Sequence, residues 1–121
     1  MSGSVLTVDD SASVRVAIRI ALSGAGYTVA EAENGAEGVR KADANAFDLI
    51  VTDLNMPVMD GLTMIETLRR NPAHAGVPII FLTTESDEGK KAEAKQSGAT
   101  AWITKPFKQD QLLAVVKKVL G

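Results

Sequence analysis

Cysteine is absent from this sequence of 121 residues. That excludes a disulfide framework, a thiolate zinc site and thiol catalysis. Histidine occurs once, at His74, so a soft-ligand metal centre has no donors to draw on. Positive charge is not in excess: 13 Lys and Arg stand against 15 Asp and Glu, for a net charge of −2. This argues against a nucleic-acid-binding domain, which normally carries a basic footprint. No apolar run approaches the ~18 residues of a membrane span. The start, Met1-Ser2-Gly3-Ser4, has no basic region followed by a long apolar stretch and does not read as a secretory signal. The expectation is a cytoplasmic chain with neither a nucleic acid nor a membrane as partner.

What is present is globular: 45% hydrophobic and 23% charged residues, with no repeat, linker or low-complexity stretch. The length suits one domain over 1–121, which can fold without a metal. Apolar or β-branched runs alternate with helical spacing. The runs are Val5–Val8, Tyr27–Val29, Asp48–Thr52, Pro78–Leu82 and Ala101–Thr104. The third and fourth are nearly continuous, as central parallel strands buried on both faces are. The first helical segment puts Val14, Ala17, Ile18, Ala21, Leu22 and Ala25 on one face and Arg15, Arg19 and Ser23 opposite. Val16 and Ile20 break that pattern and suggest a broad buried stripe. Gly24 and Gly26 supply a stop. Further helices are expected over 36–46, 61–70 and 109–120. The segment from Asp87 to Ser97 is polar almost throughout and reads as a thinly anchored surface helix, or as a movable surface open to recognition.

Strands alternating with helices indicate an α/β fold around a mostly parallel sheet. Ligands of such sheets sit beyond the carboxyl ends of the strands. Those ends are ionic here: Asp9-Asp10, Asp53, Thr83-Thr84 and Lys105-Pro106. A single strand-end Asp is usually a helix cap or turn former. Capping does not explain why strong charges gather at one edge. Close carboxylates resist ionising together, and a hard divalent cation with oxygen ligands relieves them. Mg2+ uses one or two carboxylates and keeps waters, so Asp10 and Asp53 are the better direct ligands and Asp9 acts through water. A carboxylate can also be a nucleophile, and Asp53, ending a central strand, is the candidate. Lys105 and Thr83 could then stabilise a phosphoryl group. The Lys105-Pro106 bond could be cis, which would aim the lysine back at the site, although trans is commoner for X-Pro. His74 reads as a surface residue without a role.

Four segments, Val5-Leu6-Thr7-Val8-Asp9-Asp10, Asp53-Leu54-Asn55-Met56-Pro57-Val58-Met59-Asp60-Gly61, Leu82-Thr83-Thr84 and Lys105-Pro106-Phe107, resemble in order the receiver domain of two-component response regulators. The resemblance covers essentially the whole chain. It implies a flavodoxin-like, doubly wound five-stranded parallel sheet of order 2-1-3-4-5 with five helices, for which a chemotaxis receiver is a standing example. It further implies Asp53 as phosphoacceptor, Mg2+ on Asp10 and Asp53 with Asp9 nearby, and the Asn55 carbonyl as the third protein ligand. Thr83 and Lys105 would contact the bound phosphoryl group. Asn55 and Glu85 fall where chemotaxis receivers tune phosphate loss, and Trp102 stands at the switch position, where Tyr is commoner.

The family's donor is a sensor histidine kinase, and the receiver catalyses only its own phosphorylation and dephosphorylation. With nothing after Gly121, output is expected through protein contact: a flagellar motor switch component under chemotaxis control, with a phosphatase as a further partner. The signal would run from Asp53 through Thr83, the 84–86 loop and Trp102 to the face of the fourth helix, fifth strand and last helix. Alternatives are a phosphorelay shuttle, a phosphate sink, a receiver excised from a longer regulator, a metal-dependent phosphatase or a flavin-binding carrier.

Overall fold

The computed structural model describes residues 3–84 and 88–120. Its elements are β1 (Ser4–Val8), α1 (Ala12–Gly24), β2 (Thr28–Ala32), α2 (Gly35–Ala44), β3 (Leu49–Thr52), α3 (Gly61–Arg70), a 3-10 turn (Pro72–His74), β4 (Ile79–Thr83), α4 (Glu88–Gln96), β5 (Ala101–Thr104) and α5 (Gln109–Leu120). All strand pairs are parallel and the sheet order is β2-β1-β3-β4-β5, as the resemblance implied. β3 and β4 are buried along their whole length, which is why their sequences lack a polar alternation.

Successive strand residues face opposite sides of the sheet and build two cores. Val5, Leu49, Val51, Ile80, Leu82 and Ile103 meet α1 and α5 on one side. Leu6, Val8, Ile50, Ile79 and Phe81 meet α2, α3 and α4 on the other. The first three α-helices begin for a local reason. Ser11, Asn34 and Asp60 cap α1, α2 and α3, accepting from the amides of Val14, Glu37 and Thr63.

Three sequence expectations change. Val16 and Ile20 are not part of a buried stripe: Ile20 is 61% exposed, because α1 has one covered side and its far side is solvent. Tyr27 is buried but precedes β2, which instead runs on to Ala32 through the polar Glu31. His74 is half-buried rather than free on the surface, and its Nε2 lies 2.8 Å from Asp43 Oδ1 of α2.

Helix α4 behaves as its composition predicts, burying only Ala94. It ends at Gln96, and Gly98 two residues on has a φ of 109° that suits glycine. Arg69 at the end of α3 closes this corner. It donates from Nη2 to the Gly98 carbonyl at 2.8 Å and from Nη1 to that of His74 at 2.8 Å. Among the described residues no helix is long and apolar enough to cross a membrane.

Candidate functional site

Parallel strands deliver their carboxyl ends to one edge, so the residues that follow β1, β3, β4 and β5 become neighbours. The β1–β3 ladder continues past β3, with the Asp53 amide donating to the Val8 carbonyl at 2.9 Å. The amide of Lys105 donates to the Thr83 carbonyl at 2.8 Å, tying the ends of β4 and β5 together. The peptide bond from Lys105 to Pro106 is cis. Gly61 matters because a Cβ there would come 2.3 Å from the Asp53 carbonyl oxygen and 2.6 Å from Phe81. Only a residue without a side chain lets α3 start this close to Asp53.

One ammonium joins the carboxylates. Lys105 Nζ lies 2.8 Å from Asp9 Oδ2 and 3.3 Å from Asp53 Oδ2, and its side chain is 13% exposed. Asp9 is 2% exposed, and its polar atoms are held on every side. Its amide donates to Ala32 O, its carbonyl accepts from Arg15 Nη1, Oδ1 accepts from the Ser11 amide, and Oδ2 faces the lysine. Asp10 is exposed, and Asp53 lies between these extremes with Oδ1 accepting from the Leu54 amide at 2.7 Å. One oxygen each of Asp9, Asp10 and Asp53 fall within 4.8 Å of one another. This all-oxygen set fits a hard cation such as Mg2+.

Electrostatics follow from burial and pairing. Burial pushes the Asp9 carboxyl above its usual range, and the bonds from Lys105 and the Ser11 amide only partly oppose it. For Lys105, burial acts to release the proton, but Asp9 and Asp53 outweigh it and hold the ammonium above its ordinary pKa.

The remaining candidates are placed as follows. Thr83 is fully buried at the end of β4. Asn55 is exposed in the loop after β3. Glu85 and most of the 84–86 loop lie outside the described residues. Trp102 is half-buried on the α4 side of the sheet, its ring centroid 5.8 Å from that of Phe81 and Lys91 Nζ 5.9 Å over its face. Its indole Nε1 is buried with no hydrogen-bond partner among the described residues.

Two features escape a reading of the sequence. Arg15 is not on a solvated face: its side chain is 12% exposed and bonds the Asp9 carbonyl and Glu31. The pairing of Glu31 and Glu33 at the end of β2 with an arginine one turn into α1 is the signal that could have found it. Val58 carries φ 69°, with Met59 N donating back to Pro57 O at 2.7 Å, a tight turn that a β-branched residue does not announce.

Comparison with known proteins gives the arrangement a family. The model of the response regulator receiver domain matches residues 5–117. Chemotaxis protein CheY1 of Helicobacter pylori is 40% identical over 119 residues, covering 97% of this chain and 96% of its own. The DNA-binding transcriptional regulator NtrC of Escherichia coli K12 is 36% identical over 119 residues, and there the chain spans only a quarter (25%) of the relative. The solved structure of chemotaxis response regulator CheY4 of Vibrio cholerae superposes with a TM-score of 0.94 at 42% identity, covering 99% of this chain and 100% of that one. The strand order, the acidic strand ends and a family match across nearly the whole length have one common explanation: this chain belongs to the response regulator receiver domains of two-component systems, with the CheY-like fold.

Proposed function

We propose that this protein is a stand-alone, cytoplasmic receiver of the chemotaxis type. It takes a phosphoryl group from the phosphohistidine of a sensor kinase onto Asp53 and signals by contact with an output protein such as a flagellar motor switch component. The observation that carries this is the bridge of Lys105 Nζ between Asp9 Oδ2 and Asp53 Oδ2, at 2.8 and 3.3 Å. A lone acceptor carboxylate would repel an incoming phosphoryl dianion, and the ammonium offsets that repulsion without taking the nucleophile's place.

In the proposed step an Asp53 oxygen attacks phosphorus, a P–O bond forms, and the P–N bond to the donor imidazole breaks with its electron pair leaving on nitrogen. The product is an acyl phosphate, which water later cleaves. Lys105 holds positive charge beside the transferred oxygens, and the Thr83 hydroxyl at the neighbouring strand end donates a hydrogen bond to one of them. Bound Mg2+ would neutralise phosphoryl charge, held by Asp10, Asp53 and the Asn55 carbonyl, with Asp9 acting through water. Asp9 suits an indirect role because it is 2% exposed, whereas Asp53 and Asp10 are progressively more open. Asn55 and Glu85 tune the hydrolysis, and a phosphatase is a further partner. Occupancy of Asp53 shifts a two-state equilibrium through Thr83 and Trp102 to the α4–β5–α5 face.

The similarity to NtrC favours one other reading, in which the same chemistry governs an attached effector. The test is incubation with acetyl phosphate and Mg2+, followed by intact mass. One base-labile phosphoryl group is expected on the parent and none on Asp53→Asn. Labelling of the variant at the parental rate overturns the assignment of the nucleophile.

A further inference from the structure

Among the described residues, Arg15 is the arginine that joins the acidic strand end to the neighbouring strand. Its Nη1 donates to the Asp9 carbonyl at 2.6 Å, and its Nε to Glu31 Oε1 at 3.2 Å. Its Nη2 lies 3.9 Å from Glu33 Oε1. Glu31 is fixed in turn: its second oxygen pairs with Arg19, and its backbone carbonyl accepts from Lys41 Nζ. The Asp9 carbonyl belongs to the peptide unit that leads into Asp10. The amide of Asp9 is already tied to Ala32, and its carboxylate to Ser11 and Lys105. With the Arg15 bond, every polar group preceding Asp10 is immobilised, while Asp10 itself is exposed.

From this we infer that Arg15 is a positioning residue for the cation: it locks the Asp9–Asp10 peptide so that the Asp10 carboxylate faces Asp53, and the Glu31–Glu33 pair holds Arg15 in place. The inference rests on the receiver reading of the Asp9–Asp10–Asp53 cluster. A planar guanidinium suits the task because its fork serves a carbonyl and a carboxylate at once, which an ammonium cannot do with the same geometry.

The charge of Arg15 makes the inference testable by sign. A cation near the cluster repels Mg2+, so electrostatics alone predicts tighter binding when it is removed. Positioning predicts the opposite, since losing a group that orients a ligand typically weakens metal binding by roughly tenfold to a hundredfold. Mg2+ is titrated into the unphosphorylated parent, Arg15→Ala and Arg15→Lys by calorimetry, with circular dichroism to check folding. Acetyl phosphate labelling is then followed against Mg2+ concentration. Weakening by about tenfold or more is expected in Arg15→Ala, with smaller recovery in Arg15→Lys. The half-saturating Mg2+ concentration rises while the labelling rate at saturation stays near the parent's. Where Arg15→Ala does not fold, Arg15→Lys carries the test and should still bind several-fold more weakly. Unchanged or tighter Mg2+ binding in a folded variant overturns the inference and leaves the receiver reading intact. A parent that binds no Mg2+ and takes no phosphoryl group overturns both.

Discussion

Replacing Lys105 with methionine isolates the electrostatics of the site, because the stem is kept and only the charge is lost. In the parent, Nζ bonds Asp9 at 2.8 Å and reaches Asp53 at 3.3 Å. The three side chains are 13%, 2% and 12% exposed, so water does little to compensate the carboxylates once the ammonium is gone. Removing one partner of a buried pair costs about 3–5 kcal/mol, and the open side of this site places the loss near the lower end, about 3 kcal/mol. Against a total stability of about 5–15 kcal/mol, that is a large fraction, equivalent to about a hundredfold in the unfolded population. Urea denaturation in EDTA should show it directly. Mg2+ changes the comparison: a ligand at about 100 times its Kd stabilises by about 2.7 kcal/mol, and the uncompensated carboxylates of Lys105→Met attract the ion more strongly than the parent's do. The gap between the two proteins should therefore narrow in Mg2+. A loss under about 1 kcal/mol in EDTA, the range of an exposed pair, refutes the reasoning. So does a gap that is the same with and without the metal.

Three further outcomes follow from the same geometry. Burial raises the Asp9 pKa above 3.8, so the stability contributed by its neutral form is complete below that value and is lost as pH rises through the raised one. Metal-free urea midpoints followed upward from the acid side should decline over that window in the parent, and the decline should be absent in Asp9→Asn. Gly61→Ala forces a Cβ against the Asp53 carbonyl and Phe81; about 3 kcal/mol of destabilisation is expected, and an unaltered melting curve would contradict the packing described. Val58 holds φ 69° at 84% exposure, so Val58→Asn, which tolerates that region, should gain about 1 kcal/mol. A lower midpoint for that variant contradicts the strain assigned to the turn.

Much of the fold could be read in advance because burial wrote itself into residue type. The runs at Leu49–Thr52 and Ile79–Thr83 are apolar without alternation since helices cover both of their faces. The bounds of α3 and α5 follow from Asn71-Pro72 at one end and from the apolar spacing of Leu112, Val116 and Leu120 at the other. The gathering of Asp9, Asp10, Asp53 and Lys105 needed only that the strands be parallel. What stayed hidden depends on distance across the fold. Helical spacing set Val16 and Ile20 apart from Ile18 and Leu22, but only the packing of the fold leaves that side of α1 in solvent. Arg15 resembles any polar-face arginine until Glu31 arrives from β2. His74 gains its partner from α2, thirty-one residues back along the chain. The backbone of Val58 is set by how the loop closes over Gly35, whose amide donates to the Met59 carbonyl.

Helix α4 touches the core through Ala94 alone and is moored at its far end by Arg69. A segment so lightly invested in the interior is cheap to rewrite. Its outward residues can drift with little penalty to folding, while the apolar strands beneath must stay as they are. The exposed Glu93 and Lys95 can thus change without disturbing the carboxylates at the strand ends.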